Sequence, residues 1–416
     1  MGGTTVGDAA PGGASGGGAT ARGSRTDGPV GSRLAHLDRL KVVLTAGVIV
    51  AHAAMSYGAE GTWIYEDDSL SPPTQLVLSV LVGGGVMFVL GLFFLMAGML
   101  TTGPLGRRGP RAFLVSRLWR LGVPVVAYAL VVWPALEWLV DEVRGTAPTP
   151  WAFYAAEFSG SAWQQLGTGP MWFVAILLVV TVGWCLWRWR MPARPASGSP
   201  VTSVVVTAAA IAAGTVVVRV WFPIDSAQVL DVHLWIWPQA VSLFVLGAVG
   251  AERGWIWELP RRVRSLCRRG LVGALVVLAV LVVLSDGPED FTGGVHWEAA
   301  GWAGCEGVLA VSASLLVLDW SRRHVVAHGR RERSVARSAY GAFVAQGPVL
   351  VVVALLLEPL DVPGDLRFVV LAVGGVLGSF ACGWAAVRLA VRGRARRLRD
   401  DVPPERRDVA RGGGGA

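Results

Sequence analysis

Ten apolar runs, each close to the length that crosses a lipid hydrocarbon layer, constrain this 416-residue chain more than any other feature. A helix rises ~1.5 Å per residue, so a ~30 Å layer takes about 20 apolar residues. The runs lie near 40–58, 76–102, 121–140, 170–187, 201–222, 233–251, 270–285, 298–318, 338–358 and 366–388. The expected fold class is all-α: a polytopic integral membrane protein of about ten transmembrane helices. With 53% hydrophobic and only 16% charged residues, the chain has too little polar surface for a soluble protein of this length. Gly, Ala and Val dominate the apolar fraction, as close helix packing in lipid requires. Gly83, Gly84 and Gly85 inside the second run mark a bend or a close helix contact. Residues 1–35 are too poor in apolar groups to fold and are expected to be a disordered tail. Residues 36–390 then form the transmembrane domain, and 391–416 a basic disordered tail.

Charge sets the expected orientation, because segments rich in Lys and Arg stay in the cytoplasm. Alternate connections carry the basic residues: Arg107, Arg108, Arg111, Arg117 and Arg120, then Arg188, Arg190 and Arg194, then Arg261 to Arg269, then Arg322 to Arg337. Of 37 Lys and Arg, only Arg144, Arg219 and Arg367 fall outside or in the outer half. Both termini are therefore expected inside. The outer connections are acidic and aromatic, and the longest, about 141–169, carries Trp151, Tyr154, Glu157 and Trp163. The net charge of +8 is thus accounted for by the membrane, with no nucleic-acid partner expected. Heavy use of Gly, Ala, Val and Arg suggests a GC-rich bacterial source, hence a bacterial cytoplasmic membrane. Cys185, Cys267, Cys305 and Cys382 have neither disulfide context nor metal-ligand spacing and read as packing residues or free thiols.

Ionisable side chains at bilayer depth cost several kcal/mol unless paired or hydrated, so each is a functional candidate. His52 stands 12 residues beyond Leu40, about 18 Å up its helix and roughly 12 Å from the outer surface. Glu306 follows Glu298 by eight residues on a helix running inward, at roughly the same depth. A histidine oriented by a carboxylate is a general base able to take a proton from an attacking hydroxyl. Depth alone equally fits a His52 bonded to a neighbouring helix and a Glu306 that is protonated and hydrogen-bonded. Other motifs fail. A G-x-S-x-G match at Gly13 to Gly17 lies in the tail, away from any strand–turn–helix context. His324 and His328 sit among Arg in an inner loop with no acidic partner for a metal site. No His precedes an Asp by five positions, and no Walker-type loop is present.

Several stretches, in order, carry a resemblance. Lys41, ten residues and then His52 follow the segment His36-Leu37-Asp38-Arg39-Leu40. Phe93-Phe94-Leu95-Met96-Ala97-Gly98 ends the second run, and Arg117-Leu118-Trp119-Arg120 with Pro124 opens the third. Gly169-Pro170-Met171-Trp172-Phe173 opens the fourth, and Ser338-Ala339-Tyr340-Gly341-Ala342-Phe343 the ninth. This ordered set resembles the acyltransferase 3 family of membrane proteins, and in its details the glucan-modifying branch. It departs at Ala97, where the family has Ser, and at Gln346, where it often has a His. The resemblance implies transfer of an acyl group from a cytoplasmic thioester, usually acyl-CoA, to a hydroxyl of a carbohydrate, glycolipid or secondary metabolite. His52 would be the base and Glu306 its orienting partner. Lys41, Arg39, Arg117 and Arg120 would face the donor phosphates, and Trp172 and Glu157 the acceptor. No metal or bound cofactor is implied beyond acyl-CoA as co-substrate, and the remaining partner is membrane lipid. A proton-coupled ten-helix transporter using His52 and Glu306 as a relay, and a non-catalytic relative, remain open. The absence of internal repeats by eye counts against the transporter.

Overall fold

The computed structural model describes residues 29–159, 167–191, 198–224, 226, 231–324 and 330–400. Trp163, His328 and the Gly13 to Gly17 match lie outside them. The regular structure of the described residues is all helical, without strands. The order is α1 (Pro29–Met55), α2 (Pro72–Arg108), α3 (Pro110–Val143), a short surface helix α4 (Pro150–Glu157), α5 (Trp172–Arg190) and α6 (Pro200–Trp221). Then come α7 (Trp237–Glu252), α8 (Arg261–Leu284), α9 (Trp297–His324), α10 (Arg330–Leu357) and α11 (Gly364–Asp400). Among the described residues, nine helices have the length and apolarity to cross a membrane. The tenth long helix, α1, fits the expected count but carries Asp38, Arg39 and Lys41 near the start of its apolar stretch. This is an all-α, multi-pass membrane architecture.

Several boundaries differ from those the hydropathy suggested. α1 starts at Pro29, inside the expected tail, and α11 runs on to Asp400, beyond the expected end of the domain. The seventh span begins at Arg261, so Arg262, Arg264, Arg268 and Arg269 extend a helix instead of lining a loop. Basic first turns carry no apolar signal, which is why hydropathy misses them. Gly83, Gly84 and Gly85 mark neither a bend nor a contact. α2 passes through them unbroken, and no atom approaches within 4 Å of where their side chains would stand.

The bundle centres on α9, 61% of whose apolar window is buried, while α6 and α8 at 17% lie on the periphery. The backbones of α2 and α7 pack closely. A Cβ on Gly98 would overlap the Phe244 carbonyl, and one on Gly247 would overlap the Leu95 carbonyl. Glycine on each helix makes this close packing possible.

End-to-end contacts define two faces. At one, Arg39 pairs with Glu332 at 2.7 Å, Arg188 with Glu252 at 3.2 Å, and Arg264 with Asp319 at 2.9 Å. This is the basic face. At the other, Ser71 at the head of α2 donates through N and Oγ to Asp365 at the head of α11, at 2.9 and 2.7 Å. His52, near the end of α1, belongs to this second face. Cys185, Cys267 and Cys305 are buried and Cys382 is exposed, all as free thiols.

α3 is interrupted twice by π-helical turns, Leu118–Gly122 and Tyr128–Val132, each followed by a proline, Pro124 or Pro134. Proline has no N–H, so the carbonyl a turn earlier loses its donor. The Arg120 carbonyl, four residues before Pro124, instead accepts the Tyr340 hydroxyl of α10 at 3.1 Å. Near Pro134, the Val131 carbonyl accepts the Tyr154 hydroxyl of α4 at 3.2 Å.

Candidate active site

His52 lies in the last turn of α1, partly buried. Its Nδ1 meets Oε1 of Gln346, on α10, at 3.1 Å. A carbonyl oxygen only accepts, so this contact places the imidazole proton on Nδ1 and leaves Nε2 as the basic nitrogen. No described residue bonds Nε2. Gln346 is fully buried, which fixes the orientation of the ring it holds.

The loop following α1 folds back over the ring. Trp63 stacks on His52 with centroids 4.1 Å apart and planes 19° from parallel. Trp63 in turn meets Trp133 edge-on at 5.5 Å, and Trp133 stacks with Tyr128 at 6.2 Å. Gly169 has φ +48 and no room for a Cβ, which would overlap the Trp133 indole. The Gly169 of the fourth-run motif is thus required twice, by its backbone angle and by its neighbour. Arg144 and Arg367 pin the loop. Arg367 pairs with Asp67 at 2.9 Å, and Arg144 donates to the Glu66 carbonyl at 3.0 Å while lying 4.9 Å over the Tyr65 ring.

Three buried polar atoms in this same group, Trp63 Nε1, Tyr128 Oη and Gln346 Nε2, have no hydrogen-bond partner among the described residues. An unmet buried donor costs about 1–3 kcal/mol. Three such atoms lie in the group around His52, and others, Arg219 Nε among them, lie elsewhere in the bundle.

The expected pairing of His52 with Glu306 is corrected. Glu306 Oε2 binds Arg219 of α6 at 2.7 Å, and the two side chains are only 3% and 6% exposed. Arg219 also lies 5.6 Å over the Trp235 ring. A buried carboxylate is best satisfied by a full opposite charge, and α6 packs directly on α9. The residue that orients His52 is Gln346, the position at which the chain departs from the family pattern.

The expected donor group divides. Lys41 meets Asp38 at 3.2 Å and Arg39 meets Glu332, so both are neutralised locally. Arg117 lies 5.0 Å over Phe113, and Arg120 is exposed. Neither has a carboxylate partner among the described residues. On the opposite face, Trp172 stacks on His233 at 4.4 Å with planes 14° apart. Glu157 is partly buried at the end of α4, and burial raises its carboxyl above the ordinary range. Ala97 holds no polar group, and its carbonyl accepts the Thr101 hydroxyl at 2.7 Å. Trp63, Tyr128 and Trp133 were not foreseen as site residues. Their only signal is aromatic character, in the third apolar run for Tyr128 and Trp133 and just past the first for Trp63, which many of the nineteen Trp share.

Fold and site together define a multi-pass membrane protein with a histidine centre near one end of its helix bundle. Residues 34–388 match the family model described as an acyltransferase domain, so the chain belongs to the acyltransferase 3 family and is a membrane acyltransferase. No curated protein and no solved structure matches it.

Proposed function

We propose that this chain moves an acyl group from a cytoplasmic acyl-CoA-type thioester to a hydroxyl of a carbohydrate, glycolipid or secondary metabolite. The basic face is the cytoplasmic one, in a bacterial inner membrane, with both termini inside. The observation that carries this reading is His52, with Nδ1 held by Gln346 and Nε2 left as the base inside an aromatic wall. Arg117 and Arg120, lacking carboxylate partners, suit the donor phosphates better than Arg39 or Lys41 do. The order of the motifs favours the glucan-modifying branch and a cell-envelope acceptor.

In this mechanism Nε2 of His52 takes the proton of the acceptor hydroxyl as its oxygen attacks the thioester carbonyl. The new C–O bond forms, the C–S bond breaks, and the thiolate leaves with the proton returned from the imidazolium. Gln346 keeps the ring in the tautomer this requires.

The test is thiol release from a panel of acyl-CoAs by detergent-purified wild type and His52→Ala, with cell-envelope extract as acceptor. Release by the wild type that disappears in a folded variant supports both donor class and base. No release from any donor would overturn the reading and favour a transporter or a non-catalytic relative.

A further inference from the structure

We propose that Asp231, His233 and Trp172 form a second polar site, a hydroxyl-binding subsite for the acyl acceptor, on the same face as His52. The inference rests on the acyl-transfer reading above and adds to it where the acceptor is held.

Asp231 and His233, just before α7, have φ of 53 and 46, and are the only non-glycine residues at positive φ among those described. Such backbone costs of the order of 1–3 kcal/mol per residue and persists only where its surroundings over-determine it. They do so here. Oδ2 of Asp231 accepts the Thr168 amide at 3.0 Å and the Thr168 hydroxyl at 2.8 Å. Its Oδ1 meets His233 Nδ1 at 3.0 Å, and the Asp231 carbonyl lies 2.8 Å from the same nitrogen. Trp237 Nε1 donates to the Val232 carbonyl between them at 2.9 Å. Two oxygens facing Nδ1 place a proton there and leave Nε2 to point elsewhere, with no described residue bonded to it.

The ring also lies flat on Trp172, and Trp235 stands 6.1 Å away at a tilt. A histidine oriented by a carboxylate and seated on an indole offers one directional polar contact beside apolar surface. Polyhydroxy compounds present that combination, with hydroxyl groups at the edge of a C–H face. Burial works against a charged imidazole here, but the bonded Asp231 carboxylate outweighs it and raises the affinity of His233 for its second proton. The Nε2–H so favoured is a donor to a hydroxyl oxygen.

Placement ties the subsite to the base. Residues 167–173 touch both centres: Thr168 holds Asp231 and Trp172 holds His233, while Gly169 seats Trp133, whose neighbour Trp63 covers His52. One short segment is shared by the two histidines.

The test measures acetyl-CoA-dependent thiol release against the concentration of a cell-envelope carbohydrate extract, for wild type, His233→Ala, His233→Gln and Asp231→Asn. The half-saturating acceptor concentration should rise about tenfold in His233→Ala, the effect of losing one such hydrogen bond. It should fall back part of the way in His233→Gln, while half-saturation by the donor stays within about twofold. Unchanged acceptor saturation in a transferring enzyme overturns the subsite and leaves the acyltransfer reading intact. If the wild type releases no thiol, the acyltransfer reading fails and the subsite is judged by thermal shift with glucose and maltose. A sugar-dependent shift in wild type that is absent in His233→Ala supports it; no shift in wild type overturns it.

Discussion

Two polar centres sit inside this bundle, and they are satisfied in opposite ways. Around Glu306 charge meets opposite charge: a carboxylate and a guanidinium lie 2.7 Å apart, nearly without exposure, and Arg219 Nε is left without a partner among the described residues. Around His52 the partner is a neutral amide, and three buried polar atoms are left without a bond. One centre cancels its charge with an opposite charge, and the other holds an ionisable ring with an uncharged partner. Both are ionisable residues at bilayer depth; the first pair ties α6 to α9, and the second is the centre to which the proposed function assigns the base.

The comparison breaks most directly at the histidine. His52→Ala should lower acyl transfer by about 10²–10⁴-fold, the range for a lost general base, with the thermal unfolding of the purified protein little changed. The reverse should hold across the bundle. Arg219→Ala strands the Glu306 carboxylate, so stability should fall by about 3–5 kcal/mol, read as loss of folded protein in detergent. The double change Arg219→Leu with Glu306→Leu should recover most of that loss, because no charge is then left buried alone. Next in size, Gln346→Leu frees the tautomer of His52 and should cost roughly 10–100-fold in turnover with the protein still folded. If Gln346→Leu transfers as well as wild type, the amide is only packing and the contrast between the centres weakens. The smallest effect belongs to Tyr340→Phe, which uncovers the Arg120 carbonyl and should cost about 1 kcal/mol of stability in a melting experiment.

Much of the architecture was legible from hydropathy, since each span must satisfy its own backbone in lipid. The basic first turns were not, which is why α8 begins at Arg261, ahead of the apolar signal. His52 stood out because an ionisable residue at bilayer depth needs a partner or a role, and the resemblance offered a role. Its partner did not, because Gln346 is 294 positions away and entered only as a departure from a motif. Glu306 was misassigned for a related reason. Matching depth constrains one coordinate of three, and Arg219 had been weighed only as a topology marker. Asp231 and His233 left no trace at all, since two residues at i and i+2 reveal nothing until a left-handed turn brings their side chains together.

The missing amide of Pro124 has a mechanical consequence. Because Tyr340 supplies the hydroxyl that replaces it, the Arg120 peptide of α3 is coupled to α10 six residues before Gln346, a lever of about 9 Å along one rigid helix. The same helix, α10, thus carries one bond to the Arg117–Arg120 turn and another to His52. Where proline takes a donor from α3, a side chain of α10 supplies one, so this π-helical turn is completed from a neighbouring helix.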